Sequence, residues 1–267
     1  MSCFVAGTFA KVPVMGNKIR LTDNWEFLRQ DVGNIWELVR PIKKGQPEEQ
    51  PIWTKVTLPH CFNAEDAVDP DLNYYQGPGW YKTRLKLDNP YPDGRVVLEF
   101  EGAGQKTDVY VYMTKVGSHV GGYSWNVDIT DAVRAFLASK DAERFGGEIP
   151  LSIRCDNTRD AEMIPSDLSD FNLYGGIYRY LNLVYLPEVS VASLRIEPAL
   201  DAKLKKGKLK VSGTFYNPAD VREALVEVTV KNAKGEVVSA RTLDKITPLG
   251  DLDMLDIQID KPQLWDV

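Results

Sequence analysis

Cysteine and histidine are scarce in this chain, which holds three cysteines and two histidines among 267 residues. Cys3, Cys61 and Cys155 are too few for a disulfide scaffold and their spacing fits no zinc site, although one bridge between two of them is left open. His60 and His119 provide almost no imidazole for a catalytic triad or a metal centre. We therefore predict no cofactor and no metal site.

Long apolar runs and long basic stripes are also missing. No stretch has the length needed to span a bilayer, and residues 1–15 lack the charged start and compact apolar core of a signal peptide. The formal net charge of −6, without a basic stripe, argues against a nucleic-acid partner. The interrupted basic run at residues 203–210 indicates a turn between two strands, with solvated lysines.

Motifs that would make the chain an enzyme by itself are absent, since it contains neither G-x-S-x-G nor H-E-x-x-H. Residues 102–107 superficially resemble a phosphate-binding loop. However, Gln105 stands before Lys106 where that loop needs glycine, and a strand follows instead of a helix N-terminus. The segment therefore predicts a tight glycine turn between two strands.

Two groups of conspicuous side chains have ordinary explanations. The spacing of Glu65, Asp66, Asp69 and Asp71 matches no EF-hand loop, so a solvated acidic loop is favoured over a calcium site. Large aromatic side chains dominate protein cores, which favours core positions over sugar platforms for four tryptophans. These are Trp25, Trp53, Trp80 and Trp125.

Alternating apolar and polar residues, rich in β-branched and aromatic types, recur along the whole chain. The predicted strands include 80–87, 95–100, 107–113, 151–155, 178–186, 189–197, 208–216, 224–231, 237–243 and 253–259. The strand at 178–186 is largely apolar on both faces, which predicts a central strand covered on both sides. Only one short helix is predicted, at 129–137, capped by residues 129–131. The chain is therefore predicted to be all-β.

Loops become shorter and the predicted strands more evenly spaced after residues 186–188, which predicts two domains. Residues 1–187 are expected to form a jelly-roll β-sandwich, with residues 1–20 as an N-terminal extension. Residues 188–267 have the even strand spacing of an immunoglobulin-like sandwich, but are fewer than the roughly 100 residues of a complete one. We expect this second sandwich to be incomplete, with an unpaired edge that lowers its stability relative to a longer chain.

Six segments carry a signal that none carries alone. They are Leu58–Asn63, Gly77–Lys82, Gly104–Val111, Val116–Tyr123, Asp128–Val133 and Asp170–Arg179. In this order and spacing they resemble the N-terminal sugar-binding domain of glycoside hydrolase family 2, the β-galactosidase/β-glucuronidase family. The resemblance covers roughly residues 24–186, and the following sandwich resembles the immunoglobulin-like domain of that family.

The resemblance implies a retaining glycosidase whose two catalytic glutamates lie in a (β/α)₈ barrel. This chain has no strand–helix alternation that would form the barrel, so no catalytic residue is assigned within it. The implied partners are a β-linked glycoside, with galactosides favoured over glucuronides and mannosides, and the chain's own C-terminal barrel. A periplasmic or secreted setting is implied too; the compartment and a homo-oligomeric state are left open.

Asp170 is the one candidate substrate-binding residue. The resemblance implies that its carboxylate reaches from the sandwich into the barrel's active site, where it accepts hydrogen bonds from sugar hydroxyls. Alternatively, Asp170 stabilises its own loop by pairing with Arg179, a residue interpreted as structural. Two rival functions remain open, a stand-alone carbohydrate-binding module and a purely structural spacer.

The purified chain should not hydrolyse glycosides, because the residues that carry the chemistry are expected in the barrel. Chromogenic β-glycosides assayed with the 267-residue chain test this expectation. Robust turnover would show that the barrel is not required.

Overall fold

A computed structural model describes residues 2–6, 17–41, 51–69, 71, 73–91, 93–165 and 171–264. The chain divides into two compact units. The first unit comprises Lys18–Pro90 and Arg95–Tyr185, and the second comprises Met1–Asn17, Tyr91–Gly94 and Leu186–Val267. Each unit is built from antiparallel sheets.

The described residues form eighteen strands and three short α-helices. The strands of the first half are β1 Ser2–Ala6, β2 Asn17–Arg20, β3 Trp25–Leu28, β4 Thr54–Val56, β5 His60–Cys61, β6 Pro78–Leu85, β7 Arg95–Phe100, β8 Lys106–Val111, β9 Thr114–Val120 and β10 Trp125–Asp128. Those of the second half are β11 Ile149–Asp156, β12 Gly176–Ile177, β13 Leu181–Leu186, β14 Ser190–Leu200, β15 Lys206–Tyr216, β16 Ala224–Lys231, β17 Val237–Ile246 and β18 Asp251–Asp260. The helices are α1 Trp36–Val39, α2 Thr130–Leu137 and α3 Asp141–Arg144, with a 3₁₀ turn at Glu65–Ala67. Among the residues that the structure describes, no helix has both the length and the apolar character needed to cross a membrane.

The first unit is a sandwich of two main sheets. One sheet has the strand order β4-β3-β6-β11-β8-β9 and the other has the order β10-β7-β13-β2. Alternation turns one side of each strand inward, so that Tyr81, Ile153 and Val109 stand side by side on three neighbouring strands and are fully buried. Strands β5 and β12 form a further, two-stranded sheet in this unit.

The second unit contains two three-stranded sheets, with the orders β1-β16-β17 and β14-β15-β18. Its core is a cluster of buried side chains from β15, β16 and β18. The members are Val211, Val226, Val228, Met254 and Leu255. The basic run at 203–210 spans the β14–β15 hairpin turn, where the Asp201 carboxylate accepts backbone N–H bonds from Lys205 and Lys206. The turn predicted for this run is confirmed.

The prediction of an all-β chain is confirmed, and each predicted strand overlaps an observed one. The strand predicted at 178–186 begins later, at Leu181, and lies between β7 and β2 as expected of a central strand. The prediction of a single helix is wrong, because α1 and α3 are single turns too short to show a helical period.

The predicted helix at 129–137 forms as α2, but its start and its buried face differ from expectation. Asp128 caps the start of the helix: its Oδ1 accepts a 2.8 Å hydrogen bond from the backbone N–H of Thr130, the first residue of α2. Val133 and Phe136 are buried, whereas Leu137 is exposed. The helix therefore buries a narrower stripe than its apolar residues indicate.

Replacing Met254 by alanine should destabilise the second unit by about 2–5 kcal/mol, the usual cost of deleting a fully buried side chain. Met254 has no exposed surface and packs within the cluster of the second unit. Urea unfolding measures the loss, and Val237→Ala is the control because Val237 is 59% exposed. Equal midpoints for the two variants would contradict this description of the core.

Candidate functional site

Asp170, the candidate substrate-binding residue, lies outside the described residues, as do residues 166–169. The chain is described again from Phe171, one peptide bond later. From there residues 171–175 lead into β12, where Gly176 pairs with Cys61 of β5. The described part of the candidate site is therefore the loop that directly follows Asp170, together with the side chains that hold this loop.

Asn63 fixes this loop from one side. Its side chain is 1% exposed and follows β5 at the turn beside β12. The Nδ2 atom donates to the carbonyl oxygen of Leu173 at 2.9 Å, and Oδ1 accepts from the amide of Gly175 at 2.9 Å. The side-chain amide of Asn63 therefore supplies hydrogen bonds to the loop backbone in place of the sheet pairing that the loop lacks.

Asn157 fixes the same loop from the other side. It follows the end of β11 and is fully buried. Its Nδ2 atom donates to the carbonyl oxygens of Leu173 and Tyr75, both at 2.8 Å, while Oδ1 accepts from the amide of Gly77 at 2.9 Å. One side chain thus ties the loop after Asp170 to the loop that precedes β6.

The Gly175–Gly176 pair makes a sharp turn that passes very close to neighbouring side chains. A Cβ atom at Gly175 would stand 2.2 Å from Cζ of Phe62, far inside contact distance. Gly176 has a φ of +116°, and a Cβ there would stand 2.5 Å from the hydroxyl of Tyr81. Only glycine allows the backbone to run this close to the aromatic side chains beneath it.

His60 and Tyr81 lie directly under this turn. The His60 Nδ1 atom is 2.9 Å from the Tyr81 hydroxyl, and the two rings are in edge contact. Burial raises the pKa of Tyr81 well above its usual value and lowers the pKa of His60. Both effects favour neutral rings, with the phenol donating to an unprotonated Nδ1.

The glycine turn predicted at 102–107 is confirmed, because it connects β7 to β8. The backbone of Gly104 exchanges two hydrogen bonds with Gly176, at 3.0 and 3.2 Å. The amide of Arg179 donates to the carbonyl oxygen of Gly102 at 3.2 Å, which fits a structural role for the Arg179 backbone. The Arg179 side chain is exposed.

The acidic loop is only partly solvated. Glu65, Asp69 and Asp71 are exposed, as expected. Asp66 is 4% exposed, forms an ion pair with Arg29 and accepts the Tyr75 amide at 2.8 Å, so the solvated interpretation is wrong for this residue. Among the described residues, no group of three or more His, Cys, Asp or Glu side chains is arranged to hold a metal ion.

The aromatic and thiol side chains are distributed unevenly between core and surface. Trp25 and Trp80 are core residues as predicted, whereas Trp53 and Trp125 are only half-buried. Cys61 and Cys155 are free thiols. Burial raises the pKa of Cys155 to about 12, which makes this thiol unreactive at neutral pH.

Phe171 and Tyr174 were not singled out by the sequence pattern. Their side chains are 58% and 49% exposed, although Leu173 between them is buried. The loop therefore inserts one apolar side chain and presents two aromatic rings to solvent. No short-range sequence signal separates these roles.

A sequence profile described as "Glycosyl hydrolases family 2, sugar binding domain" matches residues 39–187, more than half of the chain. The chain belongs to glycosyl hydrolase family 2. The resemblance carried by the six segments is thereby confirmed.

Several β-glucuronidases are similar to this chain. The solved structure of Parabacteroides merdae β-glucuronidase is 66% identical with a TM-score of 0.88, and the match covers 94% of this chain and 32% of that one. Bacteroides uniformis β-glucuronidase 3 is 54% identical with a TM-score of 0.83, covering 94% and 31%. A Bacteroides fragilis β-glucuronidase is 27% identical over 220 residues, covering 79% and 30%. This chain spans about a third of the length of these relatives.

Acidification should destabilise the chain partly through His60. Because burial lowers the folded-state pKa of His60 below its ordinary value, the stability it contributes is present above about pH 6.5 and is lost as the pH falls through the folded-state pKa. His60→Gln, which leaves an uncharged side chain, should flatten the fall in unfolding free energy between about pH 7 and pH 5. Denaturant unfolding at several pH values measures it.

The control for this experiment is His119→Gln. His119 stacks on Trp125 and is less buried than His60, so this variant should keep most of the slope. A His60→Gln slope equal to that of the unmodified chain would show that the imidazole does not resist protonation.

Proposed function

We propose that this chain is the non-catalytic N-terminal part of a retaining β-glycosidase that acts on β-glucuronides. The similarity to two β-glucuronidases, at 66% and 54% identity over 94% of this chain, carries the proposal. The chain spans about a third of those proteins, and its described residues show no strand–helix alternation of the barrel type. The catalytic glutamates are assigned to the remaining length.

The choice of glucuronides departs from the expectation drawn from the sequence, which favoured galactosides. The six segments are common to the family and do not distinguish its sugars. Identity over nearly the whole chain is more specific than six short segments, since it also includes the loops between them. β-Glucuronides are therefore the preferred substrate class.

Within such an enzyme the two parts of this chain have different tasks. We assign residues 18–187 to a jelly-roll domain that docks on the barrel and lines one wall of its pocket. Strand β1, within the stretch predicted as the N-terminal extension of that domain, pairs instead with β16 of the second unit. Residues 188–267 are assigned to an immunoglobulin-like domain. The division between the two compact units, at Tyr185 and Leu186, supports a boundary at this point.

Asp170 is proposed to contact the sugar from the wall of the pocket. A carboxylate accepts strong hydrogen bonds from hydroxyl groups, which fixes the orientation of a ring. A glucuronide carries its own carboxylate, and like charges repel at short range. We therefore expect Asp170 to face ring hydroxyls at the end of the sugar away from the carboxylate.

A stand-alone carbohydrate-binding module is the second candidate. The observation in its favour is the exposure of the Phe171 and Tyr174 rings, since aromatic faces stack on sugars. Calorimetric titration of this chain with a glucuronide distinguishes the two. Measurable affinity for the isolated chain favours the module, whereas a wall that forms only part of a pocket should bind weakly.

In a longer chain that includes the barrel, Asp170→Ala should lower kcat/KM for a chromogenic β-glucuronide by about 10- to 150-fold. This range corresponds to the loss of a hydrogen bond to a charged group, about 1.5–3 kcal/mol. The same enzyme should prefer the glucuronide to the matching β-galactoside.

Asp131→Asn is the control, because the Asp131 side chain is 81% exposed and lies on α2. Unchanged kinetics for Asp170→Ala would favour the structural spacer. A preference for the galactoside would overturn the proposed substrate class.

A further inference from the structure

The carbonyl oxygen of Leu173 is an unusual point of convergence. It accepts hydrogen bonds from two buried side-chain amides, that of Asn63 at 2.9 Å and that of Asn157 at 2.8 Å. The two asparagines come from different parts of the fold, one after β5 and the other after β11. We call the two side chains with this carbonyl the asparagine clamp.

Both amides of the clamp are oriented by their other partners. The Oδ1 atom of Asn63 accepts from the amide of Gly175 at 2.9 Å, and that of Asn157 accepts from the amide of Gly77 at 2.9 Å. Rotating either side-chain amide by half a turn would bring its Nδ2 donor against a backbone N–H and its Oδ1 acceptor against a backbone carbonyl. Breaking such buried hydrogen bonds is unfavourable, because each polar group left without a partner stays desolvated.

The clamp holds a segment that sheet pairing does not hold. Residues 171–175 precede β12 and lie outside any strand, although the Gly175 carbonyl accepts the Phe62 amide at 3.0 Å. The backbone at Leu173 therefore depends on the two asparagine side chains, together with the burial of the Leu173 side chain.

The clamp lies close to Asp170 along the chain. Two residues, Phe171 and Asn172, lie between Asp170 and Leu173 in the sequence. A carboxylate that orients a substrate needs this kind of support, since misplacement by about 1 Å costs activity.

We infer that Asn63 and Asn157 are positioning residues for the sugar-contacting loop, an inference that rests on the role proposed for Asp170. Both side chains are buried, so we assign them no direct contact with substrate or reacting atoms. They act by fixing the Leu173 carbonyl, so that the backbone of the loop keeps one conformation at this point. Their loss should therefore change substrate binding more than the chemical step.

The test replaces each asparagine by aspartate, which keeps its size but turns the donor facing the Leu173 carbonyl into an acceptor. Asn182→Asp is the matched control: Asn182 is 1% exposed and its Nδ2 donates to Glu101 at 3.2 Å, so the same clash arises on β13 instead. In the 267-residue chain, N63D and N157D should speed amide hydrogen exchange of residues 171–177 at least tenfold, whereas N182D should not. Unchanged exchange in the two clamp variants would overturn the inference.

Where an aspartate variant does not fold, Asn63→Ser and Asn157→Ser remove the amide without adding charge and should give the same local acceleration. In a longer chain with the barrel, the clamp variants should raise KM for a chromogenic β-glucuronide about tenfold with a smaller change in kcat. N182D should leave KM unchanged even if its melting temperature falls.

The kinetic results separate the two proposals. If Asp170→Ala is impaired while the clamp variants keep the KM of the unmodified enzyme, the positioning inference fails and the role of Asp170 stands. If Asp170→Ala is itself unaffected, the proposed function of the loop fails. A raised KM in both kinds of variant supports both.

Discussion

Two buried amides that meet at one backbone carbonyl determine how this end of the sandwich is built. Asn63 and Asn157 supply the hydrogen bonds that residues 171–175 cannot obtain from a sheet. The neighbouring backbone is held close by: the glycine pair passes against Phe62 and Tyr81, and the loop at Tyr75 is bonded to the second asparagine. A polar network buried this deeply is stable only when nearly all its members are satisfied, which makes the local structure specific.

The sequence predicts the regular parts of this fold well. Alternation locates the strands, and the central position of β13 follows from its two apolar faces. Single-turn helices are missed because four residues, as in α1 and α3, cannot display a helical period. Asp66 is misjudged for a related reason: its partner Arg29 lies 37 positions away, and a local pattern cannot reveal such a pair.

The candidate site is predictable only where a local motif exists. The glycine turn at residues 102–107, which pairs with Gly176, is predicted because glycines between two strand patterns indicate a turn. The roles of Asn63 and Asn157 are not, since each contacts residues that are distant in the sequence, 110 and 16 positions away at Leu173. The role of Asp170 is inferred from the family pattern alone, and the structure adds the two asparagines that hold the loop after it.

The arrangement also separates two kinds of constraint on the chain. Since the asparagine clamp lies on the C-terminal side of Phe171, its hydrogen bonds to Leu173 and Gly175 do not involve the residues that come before Phe171. For protein engineering, Phe171 is then a graft junction, upstream of which a segment can be exchanged while the clamp stays intact.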